Sequence, residues 1–180
     1  EKIQTEVMAC VSQVSIESLS RAESLIEVAP RIFVSGAGRS GLCMRALAMR
    51  LMHLGKTAFV AGETTTPNIA ADDLLIIGSG SGRTAGLVLM AEQARNLGAK
   101  LLLFTTHPTS PLADLADHKV IIPAPSLSMA KDGPAHTSVQ PMGSLFEQSL
   151  LILCDSLIVG LMLRMGVDAA HMRQRHANLE

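Results

Sequence analysis

Ile32-Phe33-Val34-Ser35-Gly36-Ala37-Gly38-Arg39-Ser40-Gly41 reads as a β-strand that runs through glycines into a helix. The pattern returns at Leu74-Leu75-Ile76-Ile77-Gly78-Ser79-Gly80-Ser81-Gly82-Arg83-Thr84. Glycines at such a junction let backbone amides converge, and the helix N-terminus adds partial positive charge, so each loop is suited to an anion. A pair of them, the second carrying the hydroxyls of Ser79, Ser81 and Thr84, points to a phosphorylated small molecule.

Outward from these loops, short apolar runs alternate with helical patterns. Strands are expected at 32–35, 57–60, 74–77, 101–105 and 120–122, with helices at 40–54, 84–97 and 144–165. Continuous apolar strands alternating with helices mark βαβ units around a parallel sheet covered on both faces. The expected fold class is therefore α/β, a three-layer sandwich on a five-stranded parallel sheet. Ile3, Val7, Cys10, Val11, Val14, Leu19, Leu25 and Ile26 recur near a helical period, so residues 2–28 read as one or two amphipathic helices ending near Pro30. The segment 123–143 is rich in proline and glycine and reads as an irregular loop, of a length usually tied to function. With no repeat, low-complexity tract or linker, residues 1–180 read as one domain: N-terminal helices 2–28, an α/β core 31–166 and a polar tail 167–180.

Composition narrows the class. The chain has 180 residues, 48% of them hydrophobic, which suffices for a sizeable core. A formal net charge of −1 gives no basic footprint, so nucleic acid is not an expected partner. Cys10, Cys43 and Cys154 are far apart within apolar stretches and read as buried thiols of a reducing compartment. Residues 1–9 lack the apolar core of a signal peptide. The longest apolar run, 150–165, is broken by Asp155 and Arg164 and falls short of the ~20 residues a bilayer requires. A soluble cytoplasmic protein without membrane contact is the expectation. The helical stretches 42–54 and 150–165 are apolar nearly all round, which indicates either a subunit interface or methionines filling the core.

Three nucleotide or phosphate chemistries compete for the loops. Gly36-Ala37-Gly38-Arg39-Ser40-Gly41 matches G-x-G-x-x-G, and Glu63 lies where a dinucleotide fold wants an acid for ribose. Yet that fingerprint calls for no second hydroxyl-rich loop, and Thr64-Thr65-Thr66-Pro67 follow Glu63 at once. Neither loop has the Gly-Lys-Ser/Thr of a P-loop. Hydroxyls and amides together suit a phosphate monoester without a metal. His53, His107, His118, His136 and His171 lack metal-ligand spacing and read as structural or surface residues.

The Gly-x-Gly-x-Ser loop, Ser79-Gly80-Ser81-Gly82 and a glutamate opening a late helix resemble the sugar isomerase domain family. Gly62-Glu63-Thr64-Thr65-Thr66-Pro67, Gln140-Pro141-Met142-Gly143-Ser144-Leu145-Phe146-Glu147 and Arg175-His176-Ala177-Asn178-Leu179-Glu180 are similar to its 6-phospho-3-hexuloisomerase branch, over essentially the whole chain. The resemblance implies a flavodoxin-like strand order and a homo-oligomer, dimer or tetramer, whose sites lie near subunit boundaries. It implies interconversion of D-arabino-3-hexulose 6-phosphate and D-fructose 6-phosphate in the ribulose monophosphate route of formaldehyde fixation, with no cofactor and no metal. One departure is Arg83, where many relatives carry glutamate, so no role is carried over to that side chain. A phosphosugar isomerase of the arabinose 5-phosphate type and a non-catalytic sugar-phosphate sensor share the loops and stand as alternatives.

Moving a carbonyl between neighbouring carbons needs one proton removed from carbon, a cis-enediol, and a proton returned. A single carboxylate can do both. The resemblance assigns this to Glu147, whose other reading is the partner of Ser144 in a Ser-x-x-Glu capping box. His176 is either a solvated tail residue or a catalytic contributor moving protons among sugar oxygens, reaching a neighbouring subunit's site. Arg39 either meets phosphate or sugar hydroxyls or forms a surface ion pair. Gly36, Gly38, Arg39, Ser40, Ser79, Ser81, Thr84, Glu63 and Thr64 are the expected substrate and phosphate contacts. For Ser40, Ser79, Ser81 and Thr84 ordinary helix capping is the competing role.

Overall fold

The computed structural model describes residues 1–125 and 138–179. Five strands form one parallel sheet in the order β2-β1-β3-β4-β5: β1 (Ile32–Gly36), β2 (Ala58–Val60), β3 (Leu74–Gly78), β4 (Lys100–Thr105) and β5 (His118–Ile121). This is the flavodoxin-like order, whose winding reverses between β1 and β3. In that pair Gly36 stands opposite Gly78, so both glycine loops leave the sheet at the same level on neighbouring strands.

Strand side chains alternate between the two faces. Ile32, Val34, Leu74, Ile76, Leu102 and Phe104 pack beneath α1 (Lys2–Val11), α2 (Ile16–Val28), α3 (Gly38–His53) and α6 (Ser144–Met165). Phe33, Leu75, Ile77, Leu101 and Leu103 pack on the opposite face against α4 (Ala85–Asn96) and α5 (Pro111–Leu115). The three layers of the sequence expectation are thus present. Residues 2–28 form two helices, divided where Ser15 caps α2 by accepting the Ser18 amide.

Two short helices were hidden from periodicity because one turn carries no period. In α5 the Ser110 hydroxyl accepts the Ala113 amide, and in α7 (Ala169–Arg173) Asp168 caps within the stretch read as a polar tail. The 123–143 loop is described at 123–125 and 138–143; its middle, with His136, and residue 180 lie outside the described residues. The helix expected at 144–165 is α6, longer than the apolar run 150–165 that was measured against a bilayer. By length and composition α6 alone is long and apolar enough to cross a membrane among the described residues, but ten of its residues are buried, packed on α1, α2 and α3.

Candidate functional site

Each loop is shaped by its glycines. A Cβ on Gly41 would stand 2.5 Å from the Gly36 carbonyl oxygen, so the start of α3 folds directly onto the end of β1. Gly82 has φ +62°, and a Cβ there would collide with the Ser110 hydroxyl. The second loop is anchored to the end of β4. The Ser79 amide donates to Phe104 O at 2.9 Å, and the Thr105 and Thr106 hydroxyls both donate to Gly80 O, at 3.1 and 2.9 Å.

The hydroxyls expected in this loop organise it from within. Ser79 Oγ accepts the Gly82 amide and Ser81 Oγ accepts the Arg83 amide, each at 3.2 Å, which leaves each hydroxyl its proton to donate. Thr84 holds the N-cap position of α4 by backbone only, since its side chain makes no cap hydrogen bond. Ser40 does not cap α3 either: the helix starts at Gly38, and Ser40 is buried within its first turn. The first amides of a helix have no partner inside it. On α2, α5 and α7 a side chain takes one of them; on α3, α4 and α6, as on α1, none does.

The uncapped ends of α3, α4 and α6 converge. Phe146 on α6 packs against Gly80, where a Cβ would come within 3.2 Å of its ring, so α6 begins directly over the second loop. From the first loop, Arg39 Nε reaches Glu147 Oε2 at 2.5 Å. The capping-box reading of Glu147 is thereby corrected. Gly143, not Ser144, is the N-cap of α6, no side-chain cap is made, and the Glu147 carboxylate turns to Arg39 instead. Cys43, one turn beyond Arg39, donates its thiol to the Glu147 carbonyl at 3.3 Å. Burial, and then the Glu147 charge, push the Cys43 thiol up, so it remains a protonated donor. Glu147 is 18% exposed and Arg39 62%, so the carboxylate is sheltered and the cation faces solvent.

Residues 25–152 match the SIS domain family model. The chain belongs to the SIS domain family. It is 47% identical to the 3-hexulose-6-phosphate isomerase of Mycobacterium gastri, over 99% of this chain and 88% of that protein. With the Bacillus subtilis enzyme of the same name it shares 40%, over 99% of this chain and 96% of that one. A solved structure from Methanococcus jannaschii, with an inferred molecular function of 3-hexulose-6-phosphate isomerase, is similar at a TM-score of 0.83 and 32% identity, covering 99% of this chain and 97% of that one. This SIS domain is accordingly a member of an isomerase family.

The SIS domain gathers Gly36, Gly38, Arg39, Ser40, Ser79, Ser81, Thr84 and Glu147 at the carboxyl edge of β1 and β3. Glu63 is directed elsewhere, pairing with Arg45 on α3. Thr64 is exposed on the same turn, closed by Thr66 donating to Val60 O at 2.6 Å. His176 lies at the far end of α3. Its ring stacks on that of His53 at 5.4 Å, about 21 Å from Arg39 at the rise of a helix. Sequence reading passed over Thr105 and Thr106, took Cys43 only as a buried thiol and Phe146 only as part of the 140–147 motif; all four gain their place through packing against the loops or the start of α6.

Proposed function

We propose that the protein interconverts D-arabino-3-hexulose 6-phosphate and D-fructose 6-phosphate through a cis-enediol, within the ribulose monophosphate route of formaldehyde fixation. The observation that carries this reading is the Glu147 carboxylate, sheltered and held by Arg39 between two loops suited to phosphate.

Open first-turn amides of α4 and the Ser79, Ser81 and Thr84 hydroxyls bind the phosphate, helped by the partial charge of the helix end. The sugar carbons then extend toward α6. Arg39 exchanges the carboxylate for sugar oxygens, and the freed Glu147 removes the C2 proton of the 3-hexulose. The electron pair forms the C2–C3 double bond as the C3 carbonyl oxygen gains a proton. Glu147 returns its proton to C3 while the C2 hydroxyl loses its own and becomes the carbonyl. No redox partner enters this balance. A positioned base of this kind is worth roughly 10²–10⁴-fold.

The working form is a cytoplasmic homo-oligomer, dimer or tetramer. Leu42, Met49, Leu151, Ile152, Val159 and Leu163 leave α3 and α6 with exposed apolar surface, which supports a second copy as their cover. His176, distant from Glu147 within one chain, then serves the site of a neighbouring subunit; Glu63 and Thr64 line the outer rim. Incubation with fructose 6-phosphate in deuterated water, followed by NMR, tests the reaction. Deuterium at C3 with appearance of the 3-hexulose is the expected result. Exchange confined to C1, or none, overturns it.

A further inference from the structure

Glu6, on the N-terminal helix α1, is bonded to the segment leading into α6. Its Oε2 accepts the Ser138 hydroxyl at 2.7 Å and the Gln140 side-chain amide at 3.1 Å, while Oε1 accepts the Val139 backbone amide at 2.8 Å. The Gln140 backbone amide in turn donates to Ser138 Oγ at 3.0 Å. Gln140 is 7% exposed, and its Oε1 accepts the side-chain amide of Gln148 at 2.6 Å. One carboxylate thus reaches, through one buried amide, the neighbour of Glu147.

The turn between these points is strained. Met142 has φ +55°, a left-handed conformation that is unfavourable for a side-chain-bearing residue and persists only where its surroundings enforce it. The Met142 side chain is 76% exposed and supplies no packing to do so. The enforcement comes from the two ends. Downstream, Ser144 and Glu147 amides donate to Pro141 O and Gly143 O at 3.2 and 3.0 Å; upstream stands the Glu6 cluster. An ionised carboxylate has only acceptors, which suits three converging donors, and these hydrogen bonds hold the Glu6 carboxyl below its usual range.

The geometry points to Glu6 as a positioning residue for Glu147: by clamping residues 138–140 it sets the turn into α6, and so the aim of the Glu147 carboxylate. The inference rests on the reading of Glu147 as the base. Misplacement of a reacting group by about 1 Å can cost roughly a hundredfold in rate. A clamp acting on aim differs from one acting on affinity, because the phosphate is held by the α4 loop.

The test compares wild type, Glu6→Gln and Glu6→Ala in C3 exchange of fructose 6-phosphate, thermal unfolding and amide hydrogen exchange. Expected for Glu6→Ala is a kcat lower by on the order of tenfold to a hundredfold, KM within about twofold, and an unchanged unfolding midpoint. Glu6→Gln, which keeps one acceptor, falls between. The Val139, Glu147 and Gln148 amides exchange at least about tenfold faster in Glu6→Ala. Wild-type kcat in both variants overturns the inference, as does a loss of kcat accompanied by an equal loss of stability. If the wild-type protein turns over no substrate, the proposed function fails, and amide exchange alone decides: unchanged protection at Val139, Glu147 and Gln148 refutes the clamp, and lost protection upholds it.

Discussion

Arg39 Nε and Glu147 Oε2 stand 2.5 Å apart, an ion pair that ties the first turn of α3 to the first turn of α6 across the mouth of the two glycine loops. The pair joins an exposed residue to one that is sheltered. Glu147→Gln keeps size and hydrogen-bonding capacity but removes the base. Exchange at C3 is expected to fall by on the order of 10²–10⁴-fold, while fructose 6-phosphate still binds within a few-fold by calorimetry. Near wild-type exchange in this variant would remove Glu147 from the mechanism.

The close approach of Gly41 to Gly36 gives a second expectation. In Gly41→Ala the added methyl meets a backbone carbonyl that cannot rotate away, so the loop or the helix start must shift. A loss of about 1–3 kcal/mol in urea unfolding is expected, together with weakened phosphosugar binding. Gly38→Ala has open space for its methyl and pays only for its φ of +56°, about 1–2 kcal/mol. Equal binding by Gly41→Ala and wild type would show that the first loop is not part of the site.

Sheet, layers and both loops were legible because they rest on local signals: apolar strand runs, glycines and helix period. The five strands fall within two residues of their expected places, and the paired loops share one sheet edge through the Gly36–Gly78 register. Glu147 was legible as a candidate, but its partner was not. Nothing in the sequence spacing relates Arg39 to a residue more than a hundred positions later; only the packing of α3 on α6 does so. The same long-range packing recruits Cys43 and Phe146 and carries His176 away to His53.

The burial of His53 makes stability depend on pH. His53 is 3% exposed, and burial, then the charges of Arg50 and His176, hold its imidazole below the ordinary value. The unfolded chain takes up the proton first on acidification, near pH ~6.5, while the folded chain resists it. The contribution is therefore fully present above that pH and is lost as pH falls from there through the folded value. The unfolding midpoint should drop between about pH 7.5 and 5.5, and His53→Phe should flatten that slope. An identical slope in the variant would assign the dependence to other groups.

The uncovered apolar surface of α6 predicts assembly. Leu163 is 81% exposed and Ile152 42%, more than a lone helix face on a monomer needs to leave open. A charge at the centre of a subunit contact is costly to bury. Ile152→Glu with Leu163→Glu should shift sedimentation toward the monomer without altering far-UV circular dichroism. A wild-type protein that sediments as a monomer at micromolar concentration would dismiss this surface as an interface.

If His176 completes a neighbouring site, two inactive variants should rescue one another. Glu147→Gln lacks the base in every subunit and His176→Ala lacks the imidazole, yet a mixed oligomer contains sites that draw an intact Glu147 from one subunit and an intact His176 from another. The separation of the two residues along α3 within one chain makes a site built from a single subunit geometrically unfavourable. Mixing the variants after reversible dissociation should restore a substantial fraction of wild-type C3 exchange, up to roughly a quarter for random pairing in a dimer that holds one restored site of two. Rescue must grow with subunit exchange time and vanish in the Ile152→Glu, Leu163→Glu background. Should His176→Ala instead retain full activity by itself, the histidine serves no neighbouring site and the site is complete within one chain.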